Sequence, residues 1–192
     1  MRDKAELINT IIKHKGYKTY LELGVGPHIE TITQIVCDSI SSVDILKVNE
    51  KFPSFVGTTD DFFKQNNQKF DVIYIDADHE ENAVQRDFEN SLKCLTENGI
   101  ILMHDVGPMT ESGTALTAHG TVYKTFIKIR NDDRYDSFSY EFKDNGDVLG
   151  FVKVSKNSDK LELPSVIDYN YYNTNKNSIL KRKSLEEILT LI

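Results

Sequence analysis

The chain has 192 residues, of which 39% are hydrophobic and 28% charged, a composition typical of one soluble globular domain. Its formal net charge of −7 and pI near 5.3 argue against a nucleic-acid partner, because such affinity rests largely on Lys and Arg. The sequence has no apolar run of the roughly 18 residues needed to span a bilayer, so we expect no membrane partner. Two cysteines, Cys37 and Cys94, in helical patterns favour a reduced, cytoplasmic protein.

The first part of the chain alternates between helical and strand patterns. The spacing of its apolar residues predicts, in chain order, a helix ending near Gly16, a strand at 19–23, a helix from Ile29 to about Cys37, short strands at 42–45 and 54–57, and a helix at 58–66 capped by Thr58 or Thr59. The first strand runs directly into Glu22-Leu23-Gly24-Val25-Gly26, an acidic glycine turn.

The central part predicts two buried strands separated by a helix. Residues 70–75 are nearly all apolar, as in a central parallel strand, and residues 100–103 repeat the pattern. Asp78 is predicted to cap the intervening helix, with Glu81 completing a capping box, and Asn98-Gly99 is predicted to close it. Residues 105–120 are predicted to form a loop, which is followed by a helix around Phe126.

The last part changes to a period of two. Apolar residues alternate on both sides of Asn145-Gly146, which predicts a β-hairpin. Five βα units followed by this hairpin indicate an α/β sandwich. We expect one domain at 1–154 and a C-terminal extension at 155–192 that packs on or beside it, with a last helix from Leu185. A tyrosine cluster in this extension, Tyr169, Tyr171 and Tyr172, is predicted to pack on the domain rather than to form a substrate wall.

Acidic or polar side chains close five successive predicted strands. They are Glu22, Asp44, Thr59 with Asp60, Asp76 with Asp78 and His79, and His104 with Asp105. Ligands of an open parallel sheet bind at the carboxyl ends of its strands, so we expect these side chains around one cleft. The acid before the glycine turn disfavours a phosphate and favours a ligand that carries positive charge and hydroxyls.

With these motifs, residues 5–154 resemble the class I S-adenosylmethionine-dependent methyltransferases, which have a Rossmann-like, mostly parallel seven-stranded sheet. The resemblance implies that S-adenosylmethionine is the cofactor and that Asp76 lies near it. It places the amino-acid end of the cofactor on Glu22, Gly24, Val25 and Gly26. It further implies that Asp44 takes both ribose hydroxyls and that Thr59 and Asp60 contact the adenine.

The segments Ile75-Asp76-Ala77-Asp78-His79 and Met103-His104-Asp105-Val106 resemble the metal-dependent O-methyltransferases that act on catechols and on sugar hydroxyls. This resemblance implies a magnesium-like cation held by Asp76, His104 and Asp105, with His79 as the base. His104 stands where those enzymes commonly have a carboxylate, and an imidazole is a better ligand for zinc, manganese or iron. The resemblance implies a small-molecule or sugar acceptor. We separately expect that the chain can form a homo-oligomer.

Two other functions fit parts of the pattern. A nicotinamide-dependent oxidoreductase also has a strand, a glycine turn and a later acid, but the chain lacks Gly-x-Gly-x-x-Gly. A non-catalytic cofactor-binding or assembly module would keep the fold without turnover. His119, near the end of the predicted loop and before the following helix, is a further residue that could reach an acceptor.

Overall fold

A computed structural model describes residues 3–156 and 159–192 of the chain. Within these residues the strands are β1 (Thr19–Leu23), β2 (Ser39–Asp44), β3 (Phe55–Val56), β4 (Phe70–Ile75), β5 (Leu95–Met103), β6 (Tyr135–Glu141) and β7 (Val148–Val154). The helices are α1 (Lys4–Lys15), α2 (Thr59–Gln65), α3 (Glu81–Cys94), α4 (Val122–Arg130), α5 (Tyr169–Leu180) and α6 (Leu185–Leu191). The strands form a seven-stranded sheet in the order β3-β2-β1-β4-β5-β7-β6, which confirms the predicted Rossmann-like α/β fold.

The chain divides into two compact units. The first comprises Met1–Asp78 and Arg86–Ile101, and the second comprises His79–Gln85 and Leu102–Ile192. The expected division into a domain at 1–154 and an extension at 155–192 concerns a different boundary and stays a prediction.

The first unit is built around β1, which pairs in parallel with β2 on one side and with β4 on the other. Its strand register aligns Leu23 with Val43 and with Ile75. Because the three strands end at the same level, the residues that follow them lie at one edge of the sheet. Strands β1 and β4 are almost entirely buried, as the apolar runs predict.

The segment after the glycine turn is not the predicted helix. Only a 3₁₀ turn at Ile32–Gln34 forms between Ile29 and Cys37. Ile29 has a φ of 47°, and a β-branched residue in the left-handed region cannot begin an α-helix. Val36, whose spacing from Ile29 and Ile32 suggested the helix, is 74% exposed. The prediction was wrong because the apolar residues are spaced as in a helix but do not share one buried face.

The limits of α3 also differ from prediction. The helix begins at Glu81, and the Glu80 carboxylate accepts hydrogen bonds from the backbone N–H groups of Asn82 and Ala83 at 3.0 and 3.2 Å. Glu80 therefore satisfies two of the first-turn donors, and the predicted capping by Asp78 was wrong. The helix ends at Cys94, and Asn98-Gly99 lies inside β5 rather than at a helix end.

The second unit contains the predicted hairpin. Strands β6 and β7 pair antiparallel, and Gly146 in their turn has a φ of 72°. The chain after β7 then forms α5, which the sequence did not predict, and α6, which it did. Tyr172 of α5 is buried, with its ring 5.2 Å from that of Tyr123. This contact favours packing over a substrate wall for the tyrosine cluster.

None of the helices in the described residues is long and apolar enough to cross a membrane.

Candidate active site

The glycine turn after β1 holds two glycines with different environments. Gly24 has a φ of 82°, and a Cβ there would lie 2.1 Å from the Asp76 carbonyl oxygen. Gly26 has a φ of 61°, but a Cβ there would meet no atom within 4 Å. Gly24 is therefore required by the close packing of the turn on the end of β4, whereas Gly26 leaves open space above the turn.

The end of β2 is tied to this turn through Asp44. The Asp44 Oδ2 atom accepts hydrogen bonds from the backbone N–H groups of Val25 and Gly26, both at 3.0 Å. Its Oδ1 atom accepts one from Leu46 N–H, also at 3.0 Å. A carboxylate has about four acceptor positions, so these three bonds leave about one for a ligand. Binding two ribose hydroxyls at Asp44 would require the carboxylate to release one backbone N–H.

Two buried tyrosines hold the acids at the ends of β1 and β4. The Tyr20 hydroxyl donates to Glu22 Oε2 at 2.6 Å, and the Tyr74 hydroxyl donates to Asp76 Oδ2 at 2.9 Å. Glu22 is only 2% exposed. Burial raises the pKa of Glu22 to about 8, the Tyr20 hydrogen bond opposes this, and the nearby Asp76 charge adds to it. Glu22 therefore keeps its proton near neutral pH, and a positive charge brought between Glu22 and Asp76 would favour its ionised form.

Sequence reasoning missed the two tyrosines, although a signal was present. Each lies two residues before its acid, in Tyr20-x-Glu22 and in Tyr74-x-Asp76. Side chains two apart on a strand point to the same face. A tyrosine at that spacing is thus placed to donate to the acid.

The predicted adenine contacts lie at the start of α2, and both already have protein partners. The Thr59 hydroxyl hydrogen bonds with Asp87 of α3, and Asp60 Oδ2 lies 3.7 Å from Arg86 Nε. Asp87 is 2% exposed, and burial raises its pKa to about 6. The helix is capped by Thr58, whose side chain accepts from Asp61 N–H. Thr59 therefore holds α2 against α3.

In the second unit, three imidazoles surround one buried carboxylate, that of Asp105. The His119 Nδ1 atom lies 3.0 Å from Asp105 Oδ1, and the His104 Nδ1 and His79 Nε2 atoms lie 3.3 and 3.4 Å from Oδ2. The structure thus brings together His79, His104 and Asp105 as predicted. It adds His119 to them as a direct contact of the carboxylate.

The imidazoles control the charge of Asp105. Burial alone would raise its pKa, but His104 and His119 outweigh burial and lower the pKa of this carboxyl well below its usual range. The same contact with Asp105 raises the pKa of His119, against the opposing effect of its own burial. Asp105 is therefore held ionised. It also has a φ of 57°, a conformation that costs energy outside glycine and often marks functional positions.

One further acid belongs to this cluster, and sequence reasoning missed it. Asp147, in the hairpin between β6 and β7, places its Oδ2 atom 3.0 Å from His104 Nε2. Only the folded hairpin brings Asp147 beside residue 104, and no local pattern links positions 43 residues apart. His104, Asp105 and Asp147 each offer one metal-ligand atom within 4.8 Å of the others.

Thr121 fixes the segment that carries His79. Its backbone N–H donates to the His79 carbonyl at 2.8 Å, and its hydroxyl accepts from Glu81 N–H at 2.8 Å. Thr121→Val would leave the Glu81 N–H without this acceptor, so we expect a loss of about 1–3 kcal/mol in the free energy of unfolding. Urea unfolding measures this loss, with the exposed Thr117→Val as control. Equal stability of the two variants would contradict the assignment.

Comparison with known proteins identifies the family. Residues 4–106, more than half of the chain, match a family described as "Methyltransferase domain". A search of curated proteins found no match.

Solved structures share the fold. An O-methyltransferase from Bacillus cereus in complex with SAH is 16% identical, with 79% of this chain and 80% of that chain covered and a TM-score of 0.57. TomG from Streptomyces achromogenes, an O-methyltransferase involved in tomaymycin synthesis and solved with SAM, is 13% identical, with 79% of each chain covered and a TM-score of 0.59. MycE of the mycinamycin pathway, solved with Mg, SAH and mycinamycin VI, is 14% identical, with 82% of this chain and 50% of that chain covered and a TM-score of 0.51.

The family match covers the glycine turn, the acids Glu22 and Asp44 beside it, and the His104-Asp105 pair. The sequence resemblance rests largely on these features. The strand order agrees with that resemblance. The chain belongs to this family of methyltransferase domains.

Proposed function

We propose that the protein transfers the methyl group of S-adenosylmethionine to an oxygen of a small acceptor, such as a sugar or natural-product hydroxyl. The observation that carries the proposal is the glycine turn in the first unit, which is bounded by Glu22 and tied to Asp44. Family membership and solved neighbours in complex with SAM or SAH support it.

In this proposal the cofactor lies across the strand ends of the first unit. Its amino-acid end occupies the open space above Gly26, near Val25 and Gly24, and its ammonium and sulfonium charges are balanced by Glu22 and Asp76. Asp44 binds the ribose through its remaining acceptor position.

Thr59 and Asp60 are the proposed adenine contacts. Because the Thr59 side chain hydrogen bonds with Asp87, its contribution would come through its backbone or through a rearrangement at Asp87.

Methyl transfer depends more on how the protein orients the reacting groups than on covalent catalysis by its side chains. Methyl transfer is an in-line displacement, so holding the acceptor oxygen and the methyl group in line can supply much of the acceleration. The acceptor hydroxyl must lose its proton, and His79 is the proposed base. An imidazole has an unperturbed pKa near neutrality and suits this role.

A divalent cation is proposed beside the base, with Asp76, His104 and Asp105 as its residues. The donor set fits a cation, because the Asp105 carboxylate and the His104 imidazole each offer a ligand atom, with His104 Nδ1 only 3.3 Å from Asp105 Oδ2. When bound, the cation would lower the pKa of the acceptor hydroxyl. One structural neighbour was solved with Mg.

The other functions are distinguished by binding and turnover. A nicotinamide-dependent oxidoreductase would bind dihydronicotinamide cofactors, and a non-catalytic module would bind S-adenosylmethionine without turnover. Family membership favours the methyltransferase over both. A cytoplasmic location, the absence of nucleic-acid and membrane partners, and homo-oligomer formation stay predictions.

The test is calorimetric titration with S-adenosylhomocysteine, with Asp44→Ala as the variant. Losing a carboxylate that holds the turn and binds the ribose should weaken affinity about 10–100-fold, since charged hydrogen bonds contribute roughly 1.5–3 kcal/mol each. Asp38→Ala is the matched control, because Asp38 is exposed and its ion pair is with the equally exposed Lys18. Absence of binding to the wild type at millimolar ligand would remove the proposal.

A further inference from the structure

His104 is held between two carboxylates. Its Nε2 atom lies 3.0 Å from Asp147 Oδ2, and its Nδ1 atom lies 3.3 Å from Asp105 Oδ2. All three side chains are largely buried, with exposures of 16% for His104, 14% for Asp147 and 9% for Asp105. The hairpin therefore orients the ring from the Nε2 side, and the Nδ1 side of the ring faces Asp105.

Asp147 is itself rigidly placed. Its backbone N–H donates to Asn145 Oδ1 at 3.0 Å, and its carbonyl accepts from Phe142 N–H at 2.8 Å. Its Oδ1 atom accepts from Val148 N–H at 2.9 Å, which leaves Oδ2 for His104. The tight turn thus fixes the carboxylate before any ligand arrives.

The contact with Asp147 determines which nitrogen of His104 carries a proton. An ionised carboxylate only accepts hydrogen bonds, so Nε2 must be the donor. Nδ1 is then the nitrogen that can offer its lone pair to a cation beside Asp105.

The distance between His104 Nδ1 and Asp105 Oδ2 also fits a cation bound by both atoms. Two ligand atoms at about 2.0–2.2 Å from one ion, at angles between square and tetrahedral, lie about 3.0–3.5 Å apart. The 3.3 Å between His104 Nδ1 and Asp105 Oδ2 falls in this range. A histidine ligand whose second nitrogen donates to a carboxylate is a common arrangement in metal sites, because it fixes the ring and raises its basicity.

We propose that Asp147 is a positioning residue that presents His104 Nδ1, together with Asp105, to a divalent cation of the zinc, manganese or iron class rather than to magnesium. This inference rests on the cation of the proposed function and names its class. Imidazole nitrogen suits these ions, whereas magnesium prefers oxygen ligands and water. Asp147 lies in the hairpin, outside residues 4–106, the span that matches the family.

The test is calorimetric titration of the full chain with Zn²⁺, Mn²⁺ and Mg²⁺ chlorides separately, without cofactor or acceptor. We expect Zn²⁺ and Mn²⁺ to bind at least tenfold more tightly than Mg²⁺. Asp147→Ala should weaken Zn²⁺ and Mn²⁺ binding about 10–100-fold, the usual effect of losing such a partner. Asp144→Ala, which removes the same charge from an exposed position in the same hairpin, should bind as the wild type does.

Asp147→Asn separates positioning from direct ligation. With its amide oxygen turned toward Nε2, the asparagine still accepts from His104 and gives up only the bond from Val148 N–H, so affinity should stay within a few-fold of the wild type. A direct carboxylate ligand would be lost. In the Zn²⁺-loaded wild type, ¹⁵N spectra of the imidazoles should show His104 protonated at Nε2 and not at Nδ1, a readout that needs no variant to fold.

Four results would overturn the inference: no binding of Zn²⁺ or Mn²⁺ at millimolar concentration, Mg²⁺ binding as tightly as Mn²⁺, wild-type Zn²⁺ affinity in Asp147→Ala, or a proton on Nδ1 of metal-loaded His104. S-adenosylhomocysteine titration of the same samples separates this failure from failure of the proposed function. If the protein binds the cofactor but no metal, the metal inference is wrong and the proposed function still stands.

Discussion

Glu22→Gln is expected to raise the thermal stability of the ligand-free protein at pH 8 and to change it little at pH 5. Burial raises the pKa of Glu22 from 4.5 to about 8 in the folded chain. Between these two values the folded state keeps a proton that the unfolded state has lost, so wild-type stability falls as pH rises through this window. Glutamine carries no such charge, so the variant avoids the loss.

The size of the effect follows from the width of the window. A shift of several pKa units corresponds to several kcal/mol, and each kcal/mol moves Tm by roughly 2–4 °C in a chain of this size. We therefore expect the variant to melt at least about 5 °C higher than the wild type at pH 8. Glu50→Gln, at an exposed position, is the control and should follow the wild type. A constant difference between Glu22→Gln and wild type from pH 5 to 8 would refute the raised pKa.

The same proton links cofactor binding to pH. If the ammonium and sulfonium of S-adenosylmethionine favour ionised Glu22, binding releases a proton from wild type below pH 8. Affinity should then rise up to about tenfold per pH unit until pH 8 and level off above it. In Glu22→Gln this dependence should disappear. Calorimetry in buffers of different ionisation enthalpy measures the released proton directly.

Gly24→Ala is expected to cost far more stability than Gly26→Ala, although both glycines have positive φ. Either alanine pays about 1–2 kcal/mol for the left-handed conformation. At Gly24 the new methyl group would also overlap the Asp76 carbonyl at 2.1 Å, and a backbone atom cannot move aside cheaply. We expect a total loss of about 4 kcal/mol or more, enough to unfold much of the protein.

Urea unfolding of the two variants measures this difference. Gly26→Ala should remain folded, which allows its affinity for S-adenosylhomocysteine to be measured. If the cofactor lies above the turn, the methyl group at residue 26 should weaken binding clearly. Similar stability of the two variants would show that the turn does not pack on the end of β4 as described.

Much of the fold could be predicted from local pattern. The apolar run of β4 and the alternation around Asn145-Gly146 each have one strong interpretation, and both were confirmed. The first and last residues of the helices were less predictable, because more than one nearby side chain can cap the same helix end. Asp78 and Glu80 are both able to accept first-turn N–H bonds, and the structure uses Glu80.

Two helices show where spacing alone misleads. Ile29, Ile32 and Val36 have helical spacing, but the chain leaves the α region at Ile29 and forms only one 3₁₀ turn. The opposite error occurred at α5, whose asparagines have low helix propensity. Its Asp168 cap and the buried pair Ile179 and Leu180 were signals that could have identified it.

The site was predictable where it follows strand ends and unpredictable where it depends on distant loops. Glu22, Asp44 and Asp76 could be placed because neighbouring parallel strands end together. The contacts of His119 and Asp147 arise only when the loop at 105–120 and the hairpin fold beside Asp105. No periodic pattern encodes such a meeting.

The most direct test of the account is a crystal structure of the protein with S-adenosylhomocysteine. We predict that the amino-acid end of the ligand lies above Gly26, with its ammonium group near Glu22 and a ribose hydroxyl on Asp44. A ligand bound elsewhere, with the Asp44 hydrogen bonds to Val25 and Gly26 undisturbed and the space above the turn empty, would contradict it.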